Sequence, residues 1–240
     1  MGFHTPAFCV AETLPFIDGE AIVIDKPAGL PVSQPRKGGR SLDDYLTHLR
    51  FGFQRLPLAV HRLDQDTSGC LLLARHAKAH KRYGAAFEAG TVEKIYLGIV
   101  EGDIKDDHGT IDIALGKTST AEAGWRIVPD AGGKRAVTHW RRIATVAGRS
   151  LIEFRPETGR THQIRVHALH GLGQPLLGDP FYGKSYSSGL MLHAAGLTLP
   201  RGDKPPIIAT ASMPKRFVDL GFGVQEPAVA DALGEAPVDE

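Results

Sequence analysis

The sequence predicts an α+β domain whose sheet is mixed but mainly antiparallel. Short apolar segments of strand length follow one another with brief connections, and only three segments have the features of helices. Runs of strands with few helices are typical of α+β folds, whereas a parallel sheet needs a long crossover connection between strands. No change of composition or internal repeat divides the chain. We therefore predict a single domain at residues 1–220 and a short tail at 221–240.

The first half of the chain predicts two strands, each followed by a helix. A turn at Lys26-Pro27-Ala28-Gly29 ends the first strand and places a lysine at its mouth. Ser41 can cap the first helix, and Gly90 can end the second. The apolar run after Gly69 is typical of a buried strand. In chain order, the predicted elements are a strand at 21–24, a helix at 41–48, a strand at 70–75 and a helix at 77–89.

The second half predicts more strands than helices. Lys94 and Tyr96 share one face of a strand, because side chains alternate along an extended backbone. Clusters of Gly, Asp and Lys at 104–134 predict an elaborated hairpin or loop, and Gly148 turns the following strand pair. Gly171 closes the third helix. The predicted elements are a strand at 94–100, a strand pair at 136–146 and 150–154, a helix at 162–170 and a strand at 191–199.

Composition is that of an ordinary globular protein, with 42% hydrophobic and 23% charged residues. No apolar run approaches the roughly 20 residues that a membrane span requires, and the N-terminus has no basic segment followed by an apolar one. Cys9 and Cys70 match neither a disulfide framework nor a zinc site. We therefore expect a cytoplasmic protein with no membrane partner.

The net charge of +1 hides an asymmetry along the chain. The predicted tail contains no Lys or Arg, so residues 1–220 contain 28 basic and 22 acidic residues and carry +6. A basic body suits an anionic partner such as a nucleic acid, although a solvated surface of mixed sign is an equally good interpretation of charge alone. The tail is rich in Ala, Pro and acids and is predicted to be disordered. Its acidic residues are Glu226, Asp231, Glu235, Asp239 and Glu240.

The segment from Val60 to Gly69 is the first group of potentially functional residues. Arg62 and Asp64 stand two residues apart, which would place them on one face of an extended segment. A hydroxyl-rich turn at Thr67-Ser68-Gly69 would then lead into the buried strand. An arginine and a carboxylate at the end of a buried strand indicate a site, although structural ion pairs are also common.

The segment from Glu157 to His167 is the second group of potentially functional residues. Gly159 and Thr161 would shape the start of a helix, where backbone amides favour anions. The abundant histidines raise the alternative of a metal site. Against it, His162 and His167 would be separated by about 140° around a helix, and no HExxH or Cys-paired spacing occurs. We expect these histidines to be polar or phosphate-facing.

Other familiar motifs are absent or structural. The loop from Gly178 to Gly183 contains two aromatic residues, and a structural turn capped by Asp179 is its simplest interpretation. No phosphate-binding or dinucleotide-binding glycine pattern occurs. There is also no Gly-x-Ser-x-Gly elbow for a hydrolase nucleophile.

Taken in order, these motifs closely resemble the RluA-type pseudouridine synthases. The resemblance extends over about residues 20 to 199, and its most specific parts are His61-Arg62-Leu63-Asp64 and the segment Thr158–Gln163. The other matching segments are Lys26-Pro27-Ala28-Gly29-Leu30, Asp66-Thr67-Ser68-Gly69, Lys94-Ile95-Tyr96, Ile164-Arg165-Val166-His167, Gly178-Asp179, Tyr182-Gly183 and Leu192-His193-Ala194. Cys70 stands where the family usually has an aliphatic residue, and a buried cysteine packs similarly.

The resemblance implies isomerisation of a uridine in RNA to pseudouridine without a cofactor or metal. It identifies Asp64 as the catalytic aspartate, acting either as a nucleophile toward C1′ or as a base that leads to a glycal. It identifies Tyr96 as the residue that stacks on the detached uracil and relays a proton, and Arg165 as the basic partner of the aspartate. Arg62 would fill the stack vacated by the flipped uridine. With Arg62, the implied substrate-binding residues are His61, Thr67, Arg160 and His162.

The resemblance also implies a central RNA cleft in the sheet and a monomer that acts on ribosomal RNA, transfer RNA or both. Some relatives carry an added N-terminal RNA-binding module, and we expect it to be missing here because only about twenty residues precede the first strand. Two alternatives are a non-catalytic RNA-binding module and a metal-dependent phosphoesterase. The intact set of Arg62, Asp64, Tyr96 and Arg165 argues against the first, and the histidine spacing argues against the second.

Overall fold

A ten-stranded sheet organises the part of the chain that the computed structural model describes, which is residues 14–35, 38–120 and 124–223. The strands are β1 (Phe16–Ile17), β2 (Ala21–Lys26), β3 (Leu58–Ala59), β4 (Ser68–Ala74), β5 (Glu93–Glu101), β6 (His108–Asp112), β7 (Leu115–Thr120), β8 (Gly124–Pro129), β9 (Val137–Val146), β10 (Arg149–Pro156), β11 (Leu192–Arg201) and β12 (Lys204–Thr210). The helices are α1 (Ala77–Glu88), α2 (Gln163–Gly171), α3 (Lys215–Val218) and a 3₁₀ segment at Leu42–Leu49.

The strand order is β1-β2-β4-β11-β5-β10-β9-β6, with β3 beside β4 and β12 beside β11. Of the recorded strand pairs, only β4 and β11 run parallel. β7 and β8 form a separate two-stranded hairpin. This arrangement confirms the predicted α+β class and its mainly antiparallel sheet.

The sheet is covered on both faces where β2 and β4 meet. Val23 and Leu72 pack into one cluster with Tyr83 of α1, whereas Ile22 and Leu71 pack into a second cluster on the opposite face. Two covered faces explain why these strands are apolar at consecutive positions.

Most predicted elements are present, with shifted ends. β4 begins at Ser68, so Thr67-Ser68-Gly69 is not the predicted turn. The turn lies one step earlier and is closed by the bond from the Thr67 amide to the Asp64 carbonyl (3.1 Å). The third helix includes Gly171 rather than ending before it.

The segment at 104–134 is more ordered than the sequence indicated. β6 joins the main sheet at its edge beside β9, and β7 with β8 forms the hairpin. The sequence pattern missed β12, whose two prolines and exposed side chains do not give an apolar strand pattern. Edge strands tolerate proline because one side of the backbone needs no ladder partner.

The predicted tail boundary at 221 is too early. Phe222 is buried beside Phe217, and its amide bonds to the Phe217 carbonyl. Residues 224–240, which hold all five acids of the predicted tail, lie outside the described residues. Within the described ranges, no helix is long and apolar enough to cross a bilayer.

Candidate active site

Asp64 lies in an irregular segment between β3 and β4, at the point where β2 ends. Leu63 anchors this segment in the core with 5% exposure. The Lys26 ammonium, fully buried, donates to the carbonyls of Pro27 (2.8 Å), Leu30 (2.8 Å) and Gln65 (3.0 Å). Lys26 therefore ties the turn after β2 to the turn that carries Asp64.

Burial and nearby carboxylates have opposite effects on the pKa of Lys26. Burial lowers the pKa of Lys26 to about 7, against the opposing charges of Asp66 and Asp64. Three carbonyl acceptors match the three N–H bonds of an ammonium, so the geometry fits the charged form. The lysine predicted at the mouth of a turn is thus buried and holds two turns of the site together.

A buried chain of charge runs from Asp179 through Arg165 to Asp64. Arg165 donates to both carboxylate oxygens of Asp179 through Nε (2.7 Å) and Nη2 (2.6 Å). Its Nη1 donates to Oδ2 of Asp64 at 3.2 Å. The Asp179 side chain is fully buried and that of Arg165 is 3% exposed, whereas that of Asp64 is 20% exposed. The accessible carboxylate is therefore held by an arginine that a second, inaccessible carboxylate fixes.

Arg165 keeps its charge in this buried position. Burial alone would lower the pKa of Arg165, but its bonds to Asp179 and the charge of Asp64 raise the pKa above the usual value. A bidentate guanidinium–carboxylate pair also fixes orientation. Arg165 thus presents one donor to Asp64 in a defined direction.

His162 stands at the start of α2, next to Asp64. Its backbone has φ +54°, a left-handed conformation that is strained for a non-glycine residue. Its Nδ1 forms a 2.8 Å hydrogen bond with the Tyr182 hydroxyl, and its Nε2 lies 3.7 Å from Oδ2 of Asp64. Burial lowers the pKa of His162, and the Asp64 charge opposes this effect. The imidazole is therefore positioned by its surroundings to face the carboxylate.

Gln163 holds the loop that precedes α2. Its side-chain carbonyl accepts from the Thr158 hydroxyl (2.7 Å) and the Arg160 amide (3.0 Å). Its amide group donates to the Val137 carbonyl and the Thr138 hydroxyl, both at 2.9 Å. The loop, with the exposed Arg160, is thereby fixed against β9.

Tyr96 and Lys94 line the site from β5, at the centre of the sheet. Tyr96 pairs in register with Phe154 of β10 and Ala194 of β11. Burial, with the nearby Asp64 charge, raises the pKa of the Tyr96 hydroxyl. Burial also lowers the pKa of Lys94. At neutral pH the phenol is therefore protonated and can donate a hydrogen bond.

These side chains surround one cavity of about 130 Å³, which we call the catalytic cleft. It brings together seven of the eight residues predicted from sequence: Arg62, Asp64, Thr67, Tyr96, Arg160, His162 and Arg165. Arg62 and Arg160 are exposed at its rim.

His61 is the predicted residue that does not line the cleft. It borders an adjoining depression of about 660 Å³, which shares Arg62, Lys94 and Tyr96 with the cleft. The His61 Nε2 accepts the Leu72 amide at 3.0 Å, and its ring stacks on Phe87 with centroids 4.4 Å apart. The ring is thus held between β4 and α1, and the predicted contact of His61 with the substrate stays a prediction.

Asp179 has a second role that the sequence pattern did not indicate. It caps its loop as predicted, since its Oδ1 accepts the amides of Phe181 (2.8 Å) and Tyr182 (3.1 Å). The same carboxylate also fixes Arg165. In the sequence, an aspartate next to two aromatic residues could have indicated this role, but its partner Arg165 could not be identified from the sequence.

The histidines have individual hydrogen-bond partners. His167 bonds to the Thr138 hydroxyl (2.9 Å) and the Ile113 carbonyl (3.1 Å), and His193 bonds to the Ser68 hydroxyl (2.9 Å). Among the described residues, no group of three or more His, Cys, Asp or Glu side chains could hold a metal ion.

Comparisons with known proteins identify relatives of this arrangement. A family model described as RNA pseudouridylate synthase matches residues 20–170. An uncharacterized RNA pseudouridine synthase of Zymomonas mobilis is 56% identical over 89% of this chain and 99% of its own length. The ribosomal large subunit pseudouridine synthase D of Pseudomonas aeruginosa is 42% identical over 69% of this chain and 52% of its own length.

Solved structures have the same fold. The human RNA pseudouridylate synthase domain containing 4 superposes with a TM-score of 0.72 at 25% identity, over 87% of this chain and 91% of that one. The human domain containing 1 protein has a TM-score of 0.70 at 28% identity, over 84% and 83%.

Proposed function

This chain belongs to the RNA pseudouridylate synthase family, and from that premise we propose that Asp64 is the catalytic carboxylate with which it isomerises uridine in RNA. The observation that supports this assignment is the buried chain Asp179–Arg165–Asp64, which ends on the accessible carboxylate in the cleft. A carboxylate that is held but still accessible suits attack on a sugar carbon or stabilisation of a cationic sugar.

The isomerisation needs the uracil to leave and return by another atom. The N1–C1′ bond breaks, the ring turns, and a C5–C1′ bond forms. C5 then loses its proton and N1 gains one, so that product and substrate have the same composition. Asp64 can act as the nucleophile toward C1′ or as the base that removes the C2′ proton to give a glycal, and both routes place its carboxylate next to the C1′–C2′ bond of the ribose.

The residues around Asp64 have distinct proposed roles. Arg165 orients the carboxylate, because it donates directly to Oδ2. The Tyr96 ring stacks on the detached uracil. A water that its hydroxyl positions takes up the C5 proton, or the hydroxyl takes it up while passing its own hydrogen on to water. Arg62 at the rim fills the RNA stack that the flipped uridine leaves. Thr67, Arg160 and His162 line the bound nucleotide.

We propose ribosomal RNA as the substrate, with transfer RNA as the second candidate. Support comes from relatives named as ribosomal large subunit pseudouridine synthases, which are 40% and 42% identical to this chain. This chain spans only about half the length of those two relatives. We propose that surfaces of the catalytic domain contribute to target choice. We also propose that the enzyme is cytoplasmic and acts as a monomer.

Pseudouridine mapping tests this proposal. Ribosomal and transfer RNA from cells that lack the protein are treated with purified wild-type protein or Asp64→Asn. We expect a new pseudouridine at a defined position with the wild type and none with Asp64→Asn. RNA affinity should change no more than a few-fold in the variant, because phosphate contacts dominate affinity.

Two results would contradict the proposal. Equal product from Asp64→Asn would remove Asp64 from the chemistry. Tight RNA binding without product in any RNA would favour the alternative of a non-catalytic RNA-binding module.

A further inference from the structure

An exposed aromatic pair borders the catalytic cleft. Trp125 of β8 is 41% exposed and Phe181 of the loop after α2 is 38% exposed, and their ring centroids lie 6.2 Å apart. The two rings are adjacent, and contiguous exposed apolar groups are typical of interaction surfaces. Neither ring is among the residues that line the cleft.

Trp125 is close to the reacting centre through His162. The Trp125 and His162 rings have centroids 5.1 Å apart, and His162 Nε2 lies 3.7 Å from the Asp64 carboxylate. Phe181 also contacts His162, with centroids 5.4 Å apart. A group lying on these aromatics would therefore be an immediate neighbour of a nucleotide bound at Asp64.

The hairpin that carries Trp125 is anchored. The Tyr182 hydroxyl accepts the Ile127 amide of β8 at 3.2 Å and also bonds to His162 Nδ1 at 2.8 Å. The same residue thus fixes the hairpin and the start of α2 relative to each other. This coupling holds Trp125 in place beside the cleft.

The surroundings of the aromatic pair are cationic. The Lys117 ammonium lies 5.7 Å from the Trp125 ring centroid, and the Arg126 guanidinium lies 4.8 Å from that of Phe181. Within the described ranges, no ion pair is recorded for either cation. Aromatic rings for bases combined with cations for phosphates are the recurring features of surfaces that bind single-stranded nucleic acid.

We propose that Trp125 and Phe181 form a stacking platform for the nucleobase next to the target uridine. This inference rests on the proposed function, because it requires the uridine at Asp64. Stacking needs a base whose face is free, so the enzyme selects uridines whose neighbour on one side is unpaired, as in a loop or bulge. Stacking accepts any base, so the platform selects RNA shape rather than sequence.

A binding cycle tests the platform. The probe is a stem-loop of about twenty nucleotides, sufficient for one loop and its stem, centred on a uridine that the wild-type protein converts. In two further RNAs, an abasic ribose replaces the nucleotide on the 5′ side or on the 3′ side of that uridine. Affinities are measured in the Asp64→Asn background, so that no turnover occurs.

We expect Trp125→Ala to weaken binding of the intact RNA by about tenfold, within the range for loss of one base–aromatic stack. With one of the two abasic RNAs the same variant should change binding less than about twofold, because the base is already missing. Trp125→Phe should restore most of the affinity. The control is Phe53→Ala, which removes an aromatic of similar exposure (37%), also contacted by an arginine, and should leave binding unchanged.

A direct signal accompanies the cycle. The chain has two tryptophans, and Trp140 is buried. In a Trp140→Phe background, RNA binding should quench Trp125 fluorescence, and the abasic RNA from the coupled side should quench it less.

Equal losses on intact and both abasic RNAs, or no loss in Trp125→Ala, would overturn the platform. A wild-type protein that makes no pseudouridine in any RNA would instead refute the proposed function, so the two failures are distinguishable.

Discussion

At the scale of single residues, the site depends on groups that do not line the cleft. Asp179 and Lys26 are fully buried, yet one fixes Arg165 and the other fixes the turn that carries Asp64. Sequence motifs pointed to the accessible members, Asp64 and Arg62, because an arginine and a carboxylate at the end of a buried strand indicate a site. They could not indicate that Asp179 is the partner of Arg165, since loop caps also use aspartate.

Asp179→Asn tests the supporting carboxylate. The change leaves the buried guanidinium without its charged partner, which costs about 3 kcal/mol of unfolding free energy. We expect kcat to fall more than KM rises, because Arg165 loses its fixed direction toward Asp64. Urea unfolding and single-turnover kinetics measure the two effects.

Asp219→Asn is the matched control, since it makes the same change in the exposed pair of Lys215 and Asp219. It should cost less than about 0.5 kcal/mol and leave kcat unchanged. An Asp179→Asn protein that behaves like this control would remove Asp179 from the account.

His61 predicts a pH dependence of stability. Burial, with the Lys94 charge, lowers the pKa of His61 to about 3 from its ordinary value of 6.5. The folded state therefore keeps His61 neutral where the unfolded chain binds a proton, so stability falls as pH drops below 6.5 toward 3. We expect His61 to account for a loss of about 1–2 kcal/mol between pH 7 and 5.

The measurement is urea unfolding at both pH values. The unfolding free energy should depend less steeply on pH in His61→Gln, whose side-chain oxygen can still accept a hydrogen bond from the Leu72 amide. The exposed His170 provides the control, and His170→Gln should keep the wild-type slope. If the unfolding free energy of His61→Gln depended on pH as steeply as that of the wild type, the His61 imidazole would have the same pKa in the folded and unfolded states.

At the scale of elements, the sheet brings the two chemical segments together. The start of β4 pairs with β11, and β11 pairs with β5, so the turn before β4, which carries Asp64, lines the same cleft as Tyr96 of β5. Apolar runs predicted β2, β4 and β5 well, because burial on the sheet dictates them. β12 escaped prediction because its exposed, proline-containing edge has no such pattern.

Gly69 permits the closest of these contacts. Its φ is +109°, and a Cβ built there would lie 2.2 Å from the Ala194 carbonyl oxygen. Gly69→Ala should therefore destabilise the fold by about 2 kcal/mol or more through backbone strain and overpacking. It should also reduce activity, because β4 begins directly after the turn that carries Asp64.

Gly84→Ala is the matched control, since Gly84 lies inside α1 with no atom within 4 Å of a built Cβ. It should stabilise the protein by about 0.5–1 kcal/mol. Thermal or urea unfolding of both variants measures the change in unfolding free energy, which should have opposite signs in the two. The same sign in both would contradict the role of the β4–β11 contact.

At the scale of the whole molecule, the cleft joins residues that are far apart in the chain. Asp64 and Arg165 are 101 residues apart and 3.2 Å apart in space. The family resemblance predicted that these residues meet, whereas periodicity and composition could not supply such a contact. The aromatic platform was not predicted at all, because Trp125 lies in a segment interpreted only as an elaborated hairpin or loop.

Removal of residues 224–240 tests the charge asymmetry. This deletion removes five acids and no Lys or Arg, and it keeps the buried Phe222. We expect unchanged turnover and RNA binding a few-fold tighter at low salt, with the difference lost at high salt, because screening suppresses long-range repulsion. Replacing the five acids by their amides in the full chain should reproduce the effect. Loss of activity on deletion would show that the segment contributes to the fold or the site.

The most direct test of the central claim follows the hydrogen on C5 of the target uridine. With RNA tritiated at C5, the wild-type protein should release one tritium per pseudouridine formed, without free uracil or cleaved strands. Asp64→Asn should release none, and Tyr96→Phe should slow the release far more than it weakens binding. Free uracil would indicate a glycosidase, and cleaved strands a nuclease. Tritium release by Asp64→Asn at the wild-type rate would contradict the assignment of Asp64 as the catalytic carboxylate.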